Sequence, residues 1–322
     1  MEKIFKNLSL ISATFVLVLL VSIFISLFNS AKPSIDEFGL GFITESAWGK
    51  DVPIENSVSK LAGDAKKIQA EPAASEDEYE DDILAAYEDE DEPLMRTIYG
   101  GLIPIVGTLL STLIAMAFAL PIAMGIAVFL AEIAPKKLSN IVGIAIELLA
   151  AIPSIIFGMW GLFYFAPIIQ SVVGGYQVSL LTAGLVLGVM ILPFMAAITR
   201  DSMRTTPDVL KESAYALGAT KFEVIKDVIF PYSKKGIIGS IILALGRALG
   251  ETMAVAFLIG SVFVMPHKLN DPTISIPVAM ANNFGEATGL TLSSLFYLAF
   301  LLFIISFVVI SVAKFYFLRK AD

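Results

Sequence analysis

At 322 residues, 57% hydrophobic and 16% charged, the chain lacks the polar surface of a soluble domain, in which about 25% of residues are charged. The formal charge of −8 is unevenly spread, and there is no cysteine, which excludes a disulfide scaffold, thiol chemistry and cysteine-ligated metal. The single histidine, His267, sits in the loop sequence MPHKLNDP without the companion ligands a metal site needs.

In chain order, six apolar runs occupy about 9–28, 101–130, 140–166, 178–199, 236–264 and 291–317. A bilayer core about 30 Å thick is crossed by roughly 20 helical residues, so each run is long enough. The expected fold class is all-α, a polytopic membrane protein with six transmembrane helices. The first run could also be read as a signal peptide, but its apolar part exceeds the roughly 7–15 residues of a signal core. It is read as an uncleaved first span, 1–28.

The segment 29–100 carries 18 acidic and six basic residues, a charge of −12 that leaves +4 on the rest of the chain. Its stretch EPAASEDEYEDDILAAYEDEDEP (71–93) holds 12 acidic residues and no basic one. Such a block repels itself and buries little, so a solvated, partly disordered loop is expected, with DILAAY as a possible short helix or partner contact. The spacing of a calcium loop is absent.

The remaining 101–322 reads as a five-helix membrane core. Pro104, Pro121, Pro153 and Pro193 punctuate its spans and can kink them. Gly158, Gly161, Gly184 and Gly188 have the small-residue spacings that let helices approach. The basic residues Lys3, Lys6, Lys136, Lys137, Arg200, Arg204, Lys211, Lys221, Lys226, Lys234, Lys235, Lys314, Arg319 and Lys320 fall in segments that share one side of a six-span topology. The positive-inside rule makes that side cytoplasmic, with both termini inside. On the other side, IPVAMANNF within 265–290 is expected to form a short interfacial helix that closes the outer mouth or simply connects two spans.

The cytoplasmic segment 200–235 is long for a connection between spans. Pro207 and Asp208 favour a helix start, DVLKESAYAL has helical spacing, and Gly218 is a helix stop. KFEVIKDVIF then forms a second short helix ended by Pro231. A knob of two helices around a glycine corner suits docking into a groove on a soluble partner.

LGRALGETMAV (245–255) places Arg247 and Glu251 four residues apart near the middle of the fifth run, on one helical face. A charge at the bilayer centre costs about 2.5–3.5 kcal/mol on insertion scales, so the pair must face protein or water. Glu147 is a third ionisable group, two turns into the third run. The pair reads either as a packing ion pair or as a step in an anion path. A buried pair often stabilises less than an apolar substitute, whereas a guanidinium forks two donors onto an oxyanion. On the second reading Glu251 or Glu147 neutralises Arg247 until the anion arrives. An intramembrane enzyme is disfavoured, since no span contains a histidine or cysteine and no serine has an evident base.

ESAYALGATKFEVIKDVIFP resembles the EAA loop of ABC importer permeases, carried here by Glu212, Ser213, Ala214, Gly218, Val228, Phe230 and Pro231. Ser213 stands where that family usually has alanine, and Val228 and Phe230 where it has isoleucine and leucine. FLAEIAP (129–135), ELLAAIPSIIFGMWGLF (147–163) and GRALGETMAV (246–255) are similar to the C-type permease subunits of phosphate-specific importers. The likeness covers most of 1–50 and 96–322. It implies the type I ABC importer permease fold and a subunit forming half of a phosphate path, with Arg247, Glu251 and Glu147 lining it. It also implies that the EAA loop is the coupling helix. The implied partners are a second, A-type permease, two ATP-binding subunits and an extracytoplasmic phosphate-binding protein in a prokaryotic inner membrane, with no nucleic acid involved. The sister A-type permease and a sulfate or molybdate importer stay open as alternatives. The chain has no GxxxxGK[ST] loop, so the resemblance places ATP on the partner subunit and no cofactor or metal on this chain.

Overall fold

The computed structural model describes residues 2–53 and 95–319. The acidic block 71–93, with its DILAAY segment, lies outside them. The described elements are α1 (Glu2–Phe38), α2 (Gly41–Thr44), a hairpin of β1 (Trp48–Pro53) and β2 (Met95–Tyr99), α3 (Leu102–Ile133), α4 (Lys136–Ala150), α5 (Ser154–Val173), α6 (Leu180–Arg204), α7 (Asp208–Ala216), α8 (Lys221–Leu249), α9 (Met253–Ala256), α10 (Ile276–Asn283) and α11 (Gly289–Arg319). Six of them, α1, α3, α5, α6, α8 and α11, are long and apolar enough to cross a membrane.

The bundle is built around α6. Of its most apolar window 61% is buried, against none of the window in α1. Small residues make this possible. On α3 the row Ala115, Ala119, Ala123 and Ala127 is fully buried. A side chain at Gly184 would strike Ile114, and one at Gly188 would strike Phe118 and Ala115. Gly158 and Gly161 seat the turn at Ala254–Leu258 in the same way. The small-residue spacings therefore act as close helix contacts, where dispersion between backbones replaces the hydrophobic drive that lipid removes.

Ser34 on α1 bonds Ser294 on α11 at 2.9 Å, and Phe24 packs on Phe300. Position falls along α1 as it rises along α11, so the two run antiparallel, and the start of α1 and the end of α11 lie at the end opposite the hairpin. The first helix continues to Phe38, ten residues past the expected span, because Ala31 and Ser34 are buried against α11. Beyond it the antiparallel hairpin pairs Trp48 with Tyr99 and Pro53 with Met95. Trp48 stacks on Phe263 with centroids 4.8 Å apart, which fixes the hairpin to the connection that precedes α10.

Other expected elements differ as well. The third run is broken at 151–153, where Pro153 starts α5, and its first half is the separate amphipathic helix α4. The fifth run does not cross as one helix. Gly250 ends α8, and the apolar residues that follow form a buried re-entrant turn containing Ala254, Val255, Leu258 and Ile259. KFEVIKDVIF is not a helix ended by Pro231 but the first turns of α8.

The prolines explain the last point. The helices carry wide i→i+5 turns at Phe129–Ile133, Gly161–Phe165 and Val224–Ile229. Each ends two residues before a proline, at Pro135, Pro167 and Pro231 respectively. A proline has no N–H and its ring crowds the carbonyl four residues back. Slipping the hydrogen-bond register by one residue moves that carbonyl aside, so α5 and α8 continue through their prolines.

The connection between α9 and α10 folds into the bundle. Leu180 and Leu181 donate to the carbonyls of Asp271 and Leu269, Ile276 donates to Thr108 Oγ1 at 2.8 Å, and Gly107 lies directly against the Ile274 carbonyl. The first turn of α10, Ile276 to Ala279, is buried. It is thus a plug between α3 and α11 rather than an interfacial helix.

Candidate functional site

Arg247 lies in the last turn of α8, where the helix dipole favours a cation. Its guanidinium carbon stands 5.7 Å from the centre of the Phe194 ring on α6, a cation–π contact. No carboxylate among the described residues forms an ion pair with it.

The expected shared face with Glu251 is not present. Gly250 terminates the helix between them, and Glu251 Oε1 accepts from the Ala254 N–H at 3.2 Å, capping the short α9. A carboxylate at a helix start satisfies an amide that would otherwise be unpaired in the apolar interior. Beside this turn a cleft of about 450 Å³ opens, bordered by Gly250, Thr252, Met280 and Phe284.

Glu147 is likewise not a partner of Arg247. It lies on α4, outside the spans, and its Oε1 is 2.8 Å from Arg200 Nη2. Arg200 also reaches Asp201 at 2.8 Å. The Arg200 side chain is only 6% exposed, whereas its two partners are 58% and 62% exposed. The guanidinium rests on Gly143, one turn before Glu147. In the sequence Arg200 is one of the basic residues of the cytoplasmic segment, with no partner assigned. The signal for its burial was the Gly143–Glu147 spacing, which puts a gap and a carboxylate side by side on one face of an amphipathic helix.

The EAA-like segment forms a compact knob. Pro207 precedes α7, Leu217 closes it, and Gly218 turns the chain at φ +91°. Thr220 and Glu223 then form a reciprocal cap that starts α8. Glu212, Ser213, Gly218 and Pro231 are exposed, and Ala214 is half-buried against the start of α8. Around them the large apolar side chains Val209, Leu217 and Phe222 are 71%, 90% and 71% exposed, beside a groove of about 430 Å³ along Ala214, Gly218 and Val228.

Residues 123–320, covering α6, the knob and the re-entrant turn, match the family model described as "Binding-protein-dependent transport system inner membrane component". The chain belongs to that family. It is therefore a multi-pass permease component of a membrane transport system that works with other subunits. The similarity to individual permeases extends further. The chain is 39% identical to the phosphate transport system permease protein PstC of Pasteurella multocida (strain Pm70), covering 99% of this chain and 92% of that one. It is 39% identical to the protein of the same name from Haemophilus influenzae, over 97% and 92%. It is 30% identical to the probable PstC of Methanocaldococcus jannaschii, over 98% and 93%. Among solved structures, the inward-facing MetNI methionine ABC transporter aligns with a TM-score of 0.51 at 21% identity, covering 67% of this chain and 92% of that one. This last likeness shows the ABC importer permease fold.

Proposed function

We propose that this chain is the C-type permease subunit of an ATP-driven phosphate importer, that it forms half of the translocation path, and that Arg247 is the phosphate-binding step on it. The observation that carries the reading is an arginine at the end of a membrane helix with an aromatic ring as its partner and no ion-paired carboxylate among the described residues. Arg247 is half-buried, a cation without a counter-ion in an apolar setting is costly, and an arriving oxyanion offsets that cost through two charge-assisted hydrogen bonds. Glu251 does not have to be displaced first. It holds the turn that frames the cleft, and Glu147 holds Arg200. The relatives named as phosphate permeases over nearly the whole chain support phosphate as the anion.

The second wall of the path comes from an A-type permease. The exposed apolar residues of the knob dock α7 into one of two cytoplasmic ATP-binding subunits, so ATP is bound and hydrolysed there and this chain carries no cofactor. An extracytoplasmic phosphate-binding protein delivers the anion to the hairpin end. Both termini and the knob face the cytoplasm of a prokaryote, in accord with the basic residues at that end.

Uptake of radiolabelled phosphate by cells carrying the whole transporter tests the reading. Arg247→Ala removes donors worth about 1.5–3 kcal/mol to a charged partner, so uptake is expected to fall roughly 10- to 100-fold with the complex still assembled. Uptake at the normal rate would refute it.

A further inference from the structure

Beyond the half-buried Ala214, which packs on the small cluster of Val224, Ile225 and Ile229, α7 is tied to the membrane body by charge. None of the residues of α7 is buried. Lys211, in its first turn, instead reaches across to Glu132 in the wide turn at the end of α3, with Nζ 2.8 Å from Oε1. The two side chains are 17% and 11% exposed, far less than the other charges of the knob. Asp208 lies 3.8 Å from the same Nζ but is 88% exposed. Next to this pair, Arg204 Nη2 bonds Ser139 Oγ and the Leu130 carbonyl, and Ser139 Oγ bonds that carbonyl at 2.6 Å. The corner from Leu130 to Ser139 is thus clamped from the end of α6 and from α7 together.

We infer that Glu132 and Lys211 are a positioning pair that locks the knob to the end of α3, so that movement of the knob is delivered to the second span as well as along the chain into α6 and α8. This rests on the reading that α7 docks on the ATPase. The physical argument is one of stiffness. Leu217 to Lys221, around Gly218 at φ +91°, is the only covalent route from α7 to α8, and a glycine turn transmits force poorly. A partly desolvated ion pair has few alternative geometries and breaks only at the cost of an unpaired charge. The wide turn at Phe129–Ile133 gives the second span a place to bend in response.

The experiment uses the whole transporter in proteoliposomes with phosphate and its binding protein. Glu132→Gln and Lys211→Met are expected to leave basal ATP hydrolysis near the normal rate and to reduce its stimulation by loaded binding protein about tenfold, within the range of ordinary coupling factors. Lys211→Arg keeps the stimulation. The double variant Glu132→Lys with Lys211→Glu restores most of it, which a merely structural loss would not allow. Full stimulation in both single variants overturns the inference, as does a double variant no better than the singles. The second comparison decides the case if a single variant assembles poorly. Disulfide cross-linking from Leu217→Cys to the ATPase separates the two levels. Failure to cross-link in the otherwise normal complex sinks the docking reading, whereas cross-linking with unaltered stimulation in the single variants sinks only the role of the pair.

Discussion

Arg200 and Arg247 are both arginines at the ends of apolar helices, and they serve different ends. Arg200 has two carboxylates and a glycine seat, and it ties α4 to α6. Arg247 has a ring and, among the described residues, no carboxylate partner. The charge of Arg200 is already neutralised, whereas Arg247 donates no side-chain N–H to any described residue. The seat under Arg200 is filled by the tip of its own flexible side chain, so Gly143→Ala is expected to push the guanidinium away from its carboxylates at a cost of about 1 kcal/mol. Gly125→Ala, with nothing near its added methyl, serves as the matched control with little cost. Thermal unfolding in detergent separates the two. At Phe194 the expectation is smaller. Phe194→Leu removes a cation–π contact worth about 0.5–2 kcal/mol and weakens the hold on Arg247 without removing its charge, seen as phosphate uptake intermediate between the parent and Arg247→Ala.

Among the elements, the knob carries the clearest expectation. Gly218 sits at φ +91°, and a side chain in the left-handed region costs roughly 1–2 kcal/mol. Gly218→Ala is therefore expected to loosen the α7–α8 corner and lower recovery of the ATP-binding subunit on affinity purification. Gly239→Ala, in α8 with open space around it, leaves recovery unchanged. This corner was legible in the sequence because glycine, proline and capping residues act locally. The same is true of the glycine spacings and of the number of spans. What misled was the hydropathy of 236–264 and 140–166. Hydropathy cannot distinguish a residue facing lipid from one buried in protein, so the re-entrant turn at Ala254–Ile259 read as the second half of a helix. Gly250 was the available signal, and its position between Arg247 and Glu251 also undoes their i, i+4 pairing. The partner of Glu147 could not be read because Arg200 is 53 residues away and the pairing is a product of packing.

For the whole molecule, the antiparallel packing of α1 on α11 and the ties of Arg204 and Lys211 to the corner after α3 set the start of α1, the end of α11 and the knob at one end and the hairpin at the other. With no native cysteine, single introduced thiols report this directly. In intact cells Asn270→Cys is expected to react with an impermeant maleimide and Leu217→Cys only after permeabilisation. The reverse pattern would invert the topology and remove the knob from the ATPase. The account as a whole stands on Arg247 as the uncompensated cation that a travelling phosphate uses. It is tested most directly by ATP-driven phosphate uptake into proteoliposomes holding the complete transporter, comparing the parent with Arg247→Ala and Arg247→Lys at matched assembly. The expected result is near-complete loss with alanine and partial retention with lysine, which keeps the charge but not the fork. Equal uptake in all three would contradict it.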